Sequence, residues 1–76
     1  MKELIRYIAQ ALVDNPDQVE ICEIKTQKLI LLELSVAKED LGKVIGKKGR
    51  TAQAMRTLLS CVAAKEKTRG VLEIIE

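Results

Sequence analysis

Gly46-Lys47-Lys48-Gly49, followed at once by Arg50, is the stretch whose residue types and spacing could do chemistry, and that chemistry is the holding of a phosphate. Glycines lack a Cβ, so a phosphate backbone can come close to the main chain. Lys47, Lys48 and Arg50 bring mobile positive charge to the same place. A long helix is expected to start at Gly49–Arg50, where free N–H groups and the helix dipole favour an anion. Such a loop clamps a backbone while saying nothing about base identity. Val44 and Ile45 before it, with strand residues near Leu34 and Val36, can floor a groove for bases. From the four residues alone, a plain turn between two helices is the more ordinary reading.

What the chain lacks narrows the choice. It has no His, Trp or Phe, and Tyr7 is its one aromatic residue. A His-based zinc site, a His general base and a Ser-His-Asp triad are therefore impossible. Stacking platforms of the kind used by aromatic-rich nucleic-acid binders cannot be built either. There is no paired-carboxylate site and no metal cluster, so an enzyme, a cofactor and a small-molecule substrate are not expected. Cys22 and Cys61 are far apart and beside apolar neighbours, Ile21 and Val62, which reads as small hydrophobes in a reducing compartment. Lys2, Glu3 and Arg6 come too early for a secretory leader, and no apolar run approaches a membrane span, so the expected location is the cytoplasm.

The 76 residues make one small domain, residues 1–76, with a formal net charge of +2 that conceals a segregation. Residues 1–40 carry five basic and eight acidic side chains, a net of −3. Residues 41–70 carry eight basic side chains, from Lys43 to Arg69, against Glu66 alone, a net of +7. Residues 71–76 add −2. A basic segment inside a near-neutral chain points to a local polyanion site, with a solvated basic face as the bland alternative.

The elements that must position this loop follow from periodicity. Leu4, Ile5, Ile8, Ala11 and Leu12 recur at helical spacing until Asn15-Pro16-Asp17 stops the helix. Val19, Ile21 and Ile24 predict a short strand, with a change of parity near Cys22 that reads as a bulge. After a turn at Lys25–Lys28, Ile30, Leu32, Leu34 and Val36 share one face of a second strand. A short helix with Glu39 and Asp40 in its first turn carries Leu41, Val44 and Ile45. A long helix is predicted from Arg50 to Lys65, closed by Gly70, and Val71–Ile75 form a last strand. The order α-β-β-α-α-β, with three strands and three helices, predicts an α+β fold with the helices packed on one face of a three-stranded sheet.

Val44-Ile45-Gly46-Lys47-Lys48-Gly49-Arg50 resembles the signature of KH domains, and the element order resembles their type II arrangement. Longer strings, Ala11-Leu12-Val13-Asp14-Asn15-Pro16, Leu41-Gly42-Lys43-Val44-Ile45-Gly46-Lys47 and Ala64-Lys65-Glu66, look like the small stand-alone bacterial KH proteins of the KhpA family. The resemblance covers almost the whole chain. It implies single-stranded RNA binding in the bacterial cytoplasm, as an RNA chaperone or post-transcriptional regulator. It places the RNA site at Lys43, Val44, Ile45, Gly46, Lys47, Lys48, Gly49 and Arg50. It also implies self-association, and pairing with a second KH protein, KhpB, tied in some bacteria to cell shape and cell-wall homeostasis.

The long helix carries two stripes. Ala52, Met55, Leu59, Val62 and Ala63 form an ordinary core face. Ala54, Leu58 and Cys61 lie about 100° away, flanked by Arg50 and Lys65. Either this second stripe pairs with its copy in another protomer across a two-fold axis, or it belongs to a wide core face packed on the first helix. The functional alternatives are correspondingly two: an RNA-binding module, or a dimerising adaptor that touches no RNA. A duplex-DNA helix-turn-helix fits poorly, because the long helix offers only Arg50, Gln53 and Arg56 for reading bases.

Overall fold

The computed structural model describes residues 1–75. Along the chain run helix α1 (Lys2–Leu12), strands β1 (Glu20–Lys25) and β2 (Leu29–Ser35), helices α2 (Leu41–Ile45) and α3 (Arg50–Lys65), and strand β3 (Arg69–Ile75). Three 3-10 turns sit between them, at Pro16–Gln18, Lys38–Asp40 and Lys47–Gly49. The order is α-β-β-α-α-β, and the sheet is mixed. β2 lies in the middle, antiparallel to β1 and parallel to β3.

Alternation along the strands explains why the helices gather on one side. Ile21 of β1, Ile30, Leu32 and Leu34 of β2, and Leu72 of β3 point into one buried layer. There they meet Ile5 and Ala9 of α1, Val44 of α2, and Met55, Leu59 and Ala63 of α3. The face of the sheet opposite the helices carries Cys22, Ile24, Glu33 and Glu73. Leu32, Leu34, Met55 and Leu59 are fully buried and sit at the centre of the core.

Several expectations need correction. β1 has no bulge: Glu20 to Lys25 pair one for one with Ser35 to Ile30. The parity change exists only in the residue types, because Ile24 lies on the open face opposite Leu31 and is exposed. In α1 the buried positions are Ile5 and Ala9, while Leu4, Ala11 and Leu12 are exposed. α1 packs beside the edge strand β1, so a single i, i+4 ridge satisfies the contact. Neither cysteine is a core hydrophobe, since Cys22 and Cys61 are both free and exposed.

Gly70 does not close α3. The Thr68 and Lys67 amides donate to the carbonyls of Ala63 and Ala64 at 2.9 and 3.0 Å, with Lys67 at a φ of 58°. This is a Schellman ending with lysine where glycine is usual. Gly70 instead lies in β3 beneath α3: a Cβ there would stand 2.7 Å from Leu59 Cγ and 2.9 Å from the Leu59 carbonyl oxygen. The helix backbone cannot retreat without lifting Leu59 from the core. Gly70→Ala is therefore expected to destabilise the fold by about 1–3 kcal/mol, measured by chemical denaturation. A loss under about 0.5 kcal/mol would show that α3 slides freely over β3.

Candidate nucleic-acid interface

The site is built where α2 ends and α3 begins. α2 stops because Gly46 takes φ 79° and ψ 169°, a conformation open almost only to glycine. The Gly46 amide still reaches back to the Gly42 carbonyl at 2.9 Å, and the Gly49 amide bonds to the Gly46 carbonyl at 3.0 Å. Between them the chain makes a tight turn. Lys48 (φ 58°) and Gly49 (φ 72°) are successive left-handed residues, and the right-handed helix α3 resumes at Arg50. No side chain caps the N-terminus of α3. Its first-turn amides therefore add their partial positive charge beside the loop.

Lys47, Lys48 and Arg50 are exposed, and none of them forms an ion pair among the described residues. Their charge is available to a partner. Arg56, one and a half turns further along, is directed elsewhere: its Nε donates to the Leu72 carbonyl of β3 at 3.4 Å.

The hydrophobic floor differs from the sequence-based expectation. Val44 and Leu34 have no exposed surface, so they belong to the core and cannot touch a ligand. Their positions on the core face of α2 and the buried face of β2 leave no other outcome. Ile45 and Val36 are half-buried and remain at the surface.

Lys43 is also occupied. Its ammonium pairs with the Asp14 carboxylate and lies 3.5 Å from Asp40 Oδ1. These partners raise its pKa, the Asp14 hydrogen bond most of all. Asp40 itself is the one fully buried charged side chain among the described residues. Its Oδ1 accepts from the Asp14 amide at 3.2 Å, and its Oδ2 accepts from the Asn15 amide at 3.0 Å and from Asn15 Nδ2 at 2.9 Å. The Asn15 side-chain bond, with both amides and Lys43, outweighs the cost of burial and holds the Asp40 carboxyl below its ordinary value of 3.8. The group is charged at neutral pH, and its stabilising effect is lost only as pH falls below 3.8 and through the lowered value. Nothing in the sequence patterning singles out this cluster. The one signal was an acid at a helix start, which reads as a dipole effect.

If Lys43 is held by the two aspartates, it adds little to a polyanion contact. Lys43→Met should leave the salt dependence of polyanion binding within about 0.2 of the wild-type slope. Lys47→Met should lower that slope by about 0.7, as measured by anisotropy titration at several salt concentrations.

The second stripe of α3 is settled on one point. Ala54, Leu58 and Cys61 are all exposed, Leu58 at 43 %, so they are not part of a wide core face against α1.

Comparison with known proteins identifies the family of the chain. A family model described as KhpA/KhpB, KH domain, matches residues 2–74. The chain is 60 % identical over 75 residues to an RNA-binding protein KhpA of Caldanaerobacter subterraneus subsp. tengcongensis, covering 99 % of this chain and 100 % of that one. It is 53 % identical over 75 residues to an RNA-binding protein KhpA of Clostridium acetobutylicum, at the same coverage of both chains. With an RNA-binding protein KhpA of Treponema pallidum it shares 55 % over 75 residues, covering 99 % of this chain and 94 % of that one. No solved structure gives a significant match.

Proposed function

Since the chain belongs to the KhpA/KhpB family of KH domains, we propose that it binds single-stranded RNA by clamping the sugar-phosphate backbone in the Gly46–Gly49 loop. The observation that carries this reading is the uncapped start of α3 beside a glycine turn with three cations, Lys47, Lys48 and Arg50, that form no ion pair among the described residues. The relatives' name, RNA-binding protein, supports RNA as the polyanion. A loop of this type grips phosphates and leaves the bases to the surface beside it, here Ile45 and Val36.

The family likeness extends the proposal to a role as RNA chaperone or post-transcriptional regulator in the bacterial cytoplasm. It also suggests pairing with KhpB and a link to cell-shape and cell-wall homeostasis. Among the described residues no helix is long and apolar enough to cross a membrane. Titration of a labelled RNA oligonucleotide with the full chain tests the core reading. A single strand should bind more tightly than its duplex, with a log-log salt slope of about 0.7 per phosphate contacted. A salt-insensitive affinity would overturn it.

The exposed stripe of α3 favours a second reading, in which the domain self-associates and acts as an adaptor. Leu58, exposed between Ala54 and Cys61, is the side chain that a two-fold helix contact would bury. Light scattering should then give a dimer mass for the wild type and a monomer mass for Leu58→Asp. Equal masses for the two proteins would remove the stripe as an interface. An adaptor that touches no RNA would keep its protein contacts while no RNA is recovered after crosslinking in cells.

A further inference from the structure

The Gly46–Gly49 loop can be no better placed than the helix that carries it. α2 has five residues, far below the length at which a helix holds itself, and Val44 is its one buried side chain. Something else must fix its direction. An aspartate at the start of a helix ordinarily caps that helix, but Asp40 makes no cap bond to α2. Its carboxylate points the other way, across 25 and 26 residues of sequence, to the amides of Asn15 and Asp14 in the connection between α1 and β1. Lys43, one turn further along α2, closes the cluster by reaching both Asp14 and Asp40 itself. Both ends of this latch therefore lie in α2 and in the connection, and none of its bonds goes to the sheet.

The chemistry suits a fixed joint. Three N–H groups and one ammonium converge on two oxygens that are sealed from water. An ionised carboxylate is acceptor-only and can satisfy all four at once. The two pairs of donors approach different oxygens, which fixes the rotation of the carboxylate as well as its position.

We propose that Asp40 is a positioning residue of the clamp: it locks α2 to the Asp14–Asn15 connection and thereby orients the Gly46–Gly49 loop for an RNA backbone. This rests on the reading of that loop as the RNA site. Asp40→Asn is the direct probe. An amide can present an oxygen to the two Asn15 donors, but its NH2 then faces the Asp14 N–H and the Lys43 ammonium, and those two contacts fail.

The variant should remain folded by circular dichroism and bind a single-stranded RNA oligonucleotide about tenfold more weakly, or about 1.4 kcal/mol. Its salt slope should equal that of the wild type, because the same phosphates are gripped once the loop is placed. Hydrogen exchange without RNA should speed up at residues 14, 15 and 46–49, while amides of β2 and β3 keep their protection. Asn15→Ala, which removes one of the four donors, should move both readouts the same way by a smaller amount, and it serves if Asp40→Asn does not fold. An affinity within twofold of wild type, or exchange that rises evenly over the whole chain, overturns the proposal. Failure of the wild type itself to bind RNA would instead overturn the functional reading, while the exchange measurement still tests the latch.

Discussion

Gly46→Ala is expected to destabilise the domain by about 2–5 kcal/mol and to abolish RNA binding, while Gly49→Ala costs about 1–2 kcal/mol. The two glycines differ in what they do. Gly46 holds φ 79° and ψ 169°, outside the ordinary left-handed region and strained for any residue with a side chain. Its absent Cβ would also lie 2.3 Å from Thr51 Oγ1 and 2.9 Å from the Thr51 backbone nitrogen. The hydroxyl could rotate away, but the nitrogen belongs to the first turn of α3 and cannot. Gly49 has φ 72° and ψ 14°, which is ordinary left-handed geometry, and a Cβ there meets nothing within 4 Å. The neighbouring Lys48 already adopts that conformation with a full side chain. Urea denaturation of the three proteins decides the matter: equal losses for the two variants would mean that Gly46 is free to leave its conformation. RNA titration of Gly49→Ala, which should retain the turn, separates loss of loop shape from loss of glycine as such.

The contrast between these glycines also marks what can be read from sequence. The limits of α3, Arg50 to Lys65, follow from helical periodicity and agree with the structure, as do Ala52, Met55, Leu59 and Ala63 of its predicted core face, while Val62 is only half-buried. β2 is nearly as legible: Ile30, Leu32 and Leu34 alternate and are buried, while Val36, read as the last of the same face, lies beyond the strand and is half-buried. The loop between α2 and α3 was legible from glycine and lysine types alone. Features that depend on what meets a residue from elsewhere were not. Ile24 looks like core, yet the one-for-one pairing of β1 with β2 puts it on the open face opposite Leu31, while Ile21 faces the core. Gly70 looked like a helix stop, whereas its reason for being glycine is Leu59, eleven positions away on another element. Asp40 looked like a dipole partner for its own helix, and its bonds cross to Asp14 and Asn15. Val44 shows the same limit: helical spacing places it beside the loop, but only the fold shows that it lies on the core side of α2.

Reversing the charge of the clamp should separate binding from stability more cleanly than any glycine change. Lys47→Asp with Lys48→Asp is expected to reduce RNA affinity by at least about 100-fold at moderate salt, while stability changes by no more than about 0.5 kcal/mol. Both side chains are exposed and unpaired among the described residues, so the fold loses no contact with them. Aspartate accepts the left-handed backbone of Lys48, so the turn itself survives. On the binding side, two lost phosphate contacts remove about 1.4 from the log-log salt slope. The two new carboxylates also repel the phosphates that the start of α3 would otherwise hold. The loss should therefore shrink as salt rises, because screening weakens attraction in the wild type and repulsion in the variant alike. Arg50 remains to carry residual, non-specific binding at low salt. Thermal melts and anisotropy titrations on the same samples provide both halves of the test. An affinity within about threefold of wild type would move the RNA site away from this loop altogether, and a melt lowered along with the affinity would mean that the lysines hold the turn rather than the RNA.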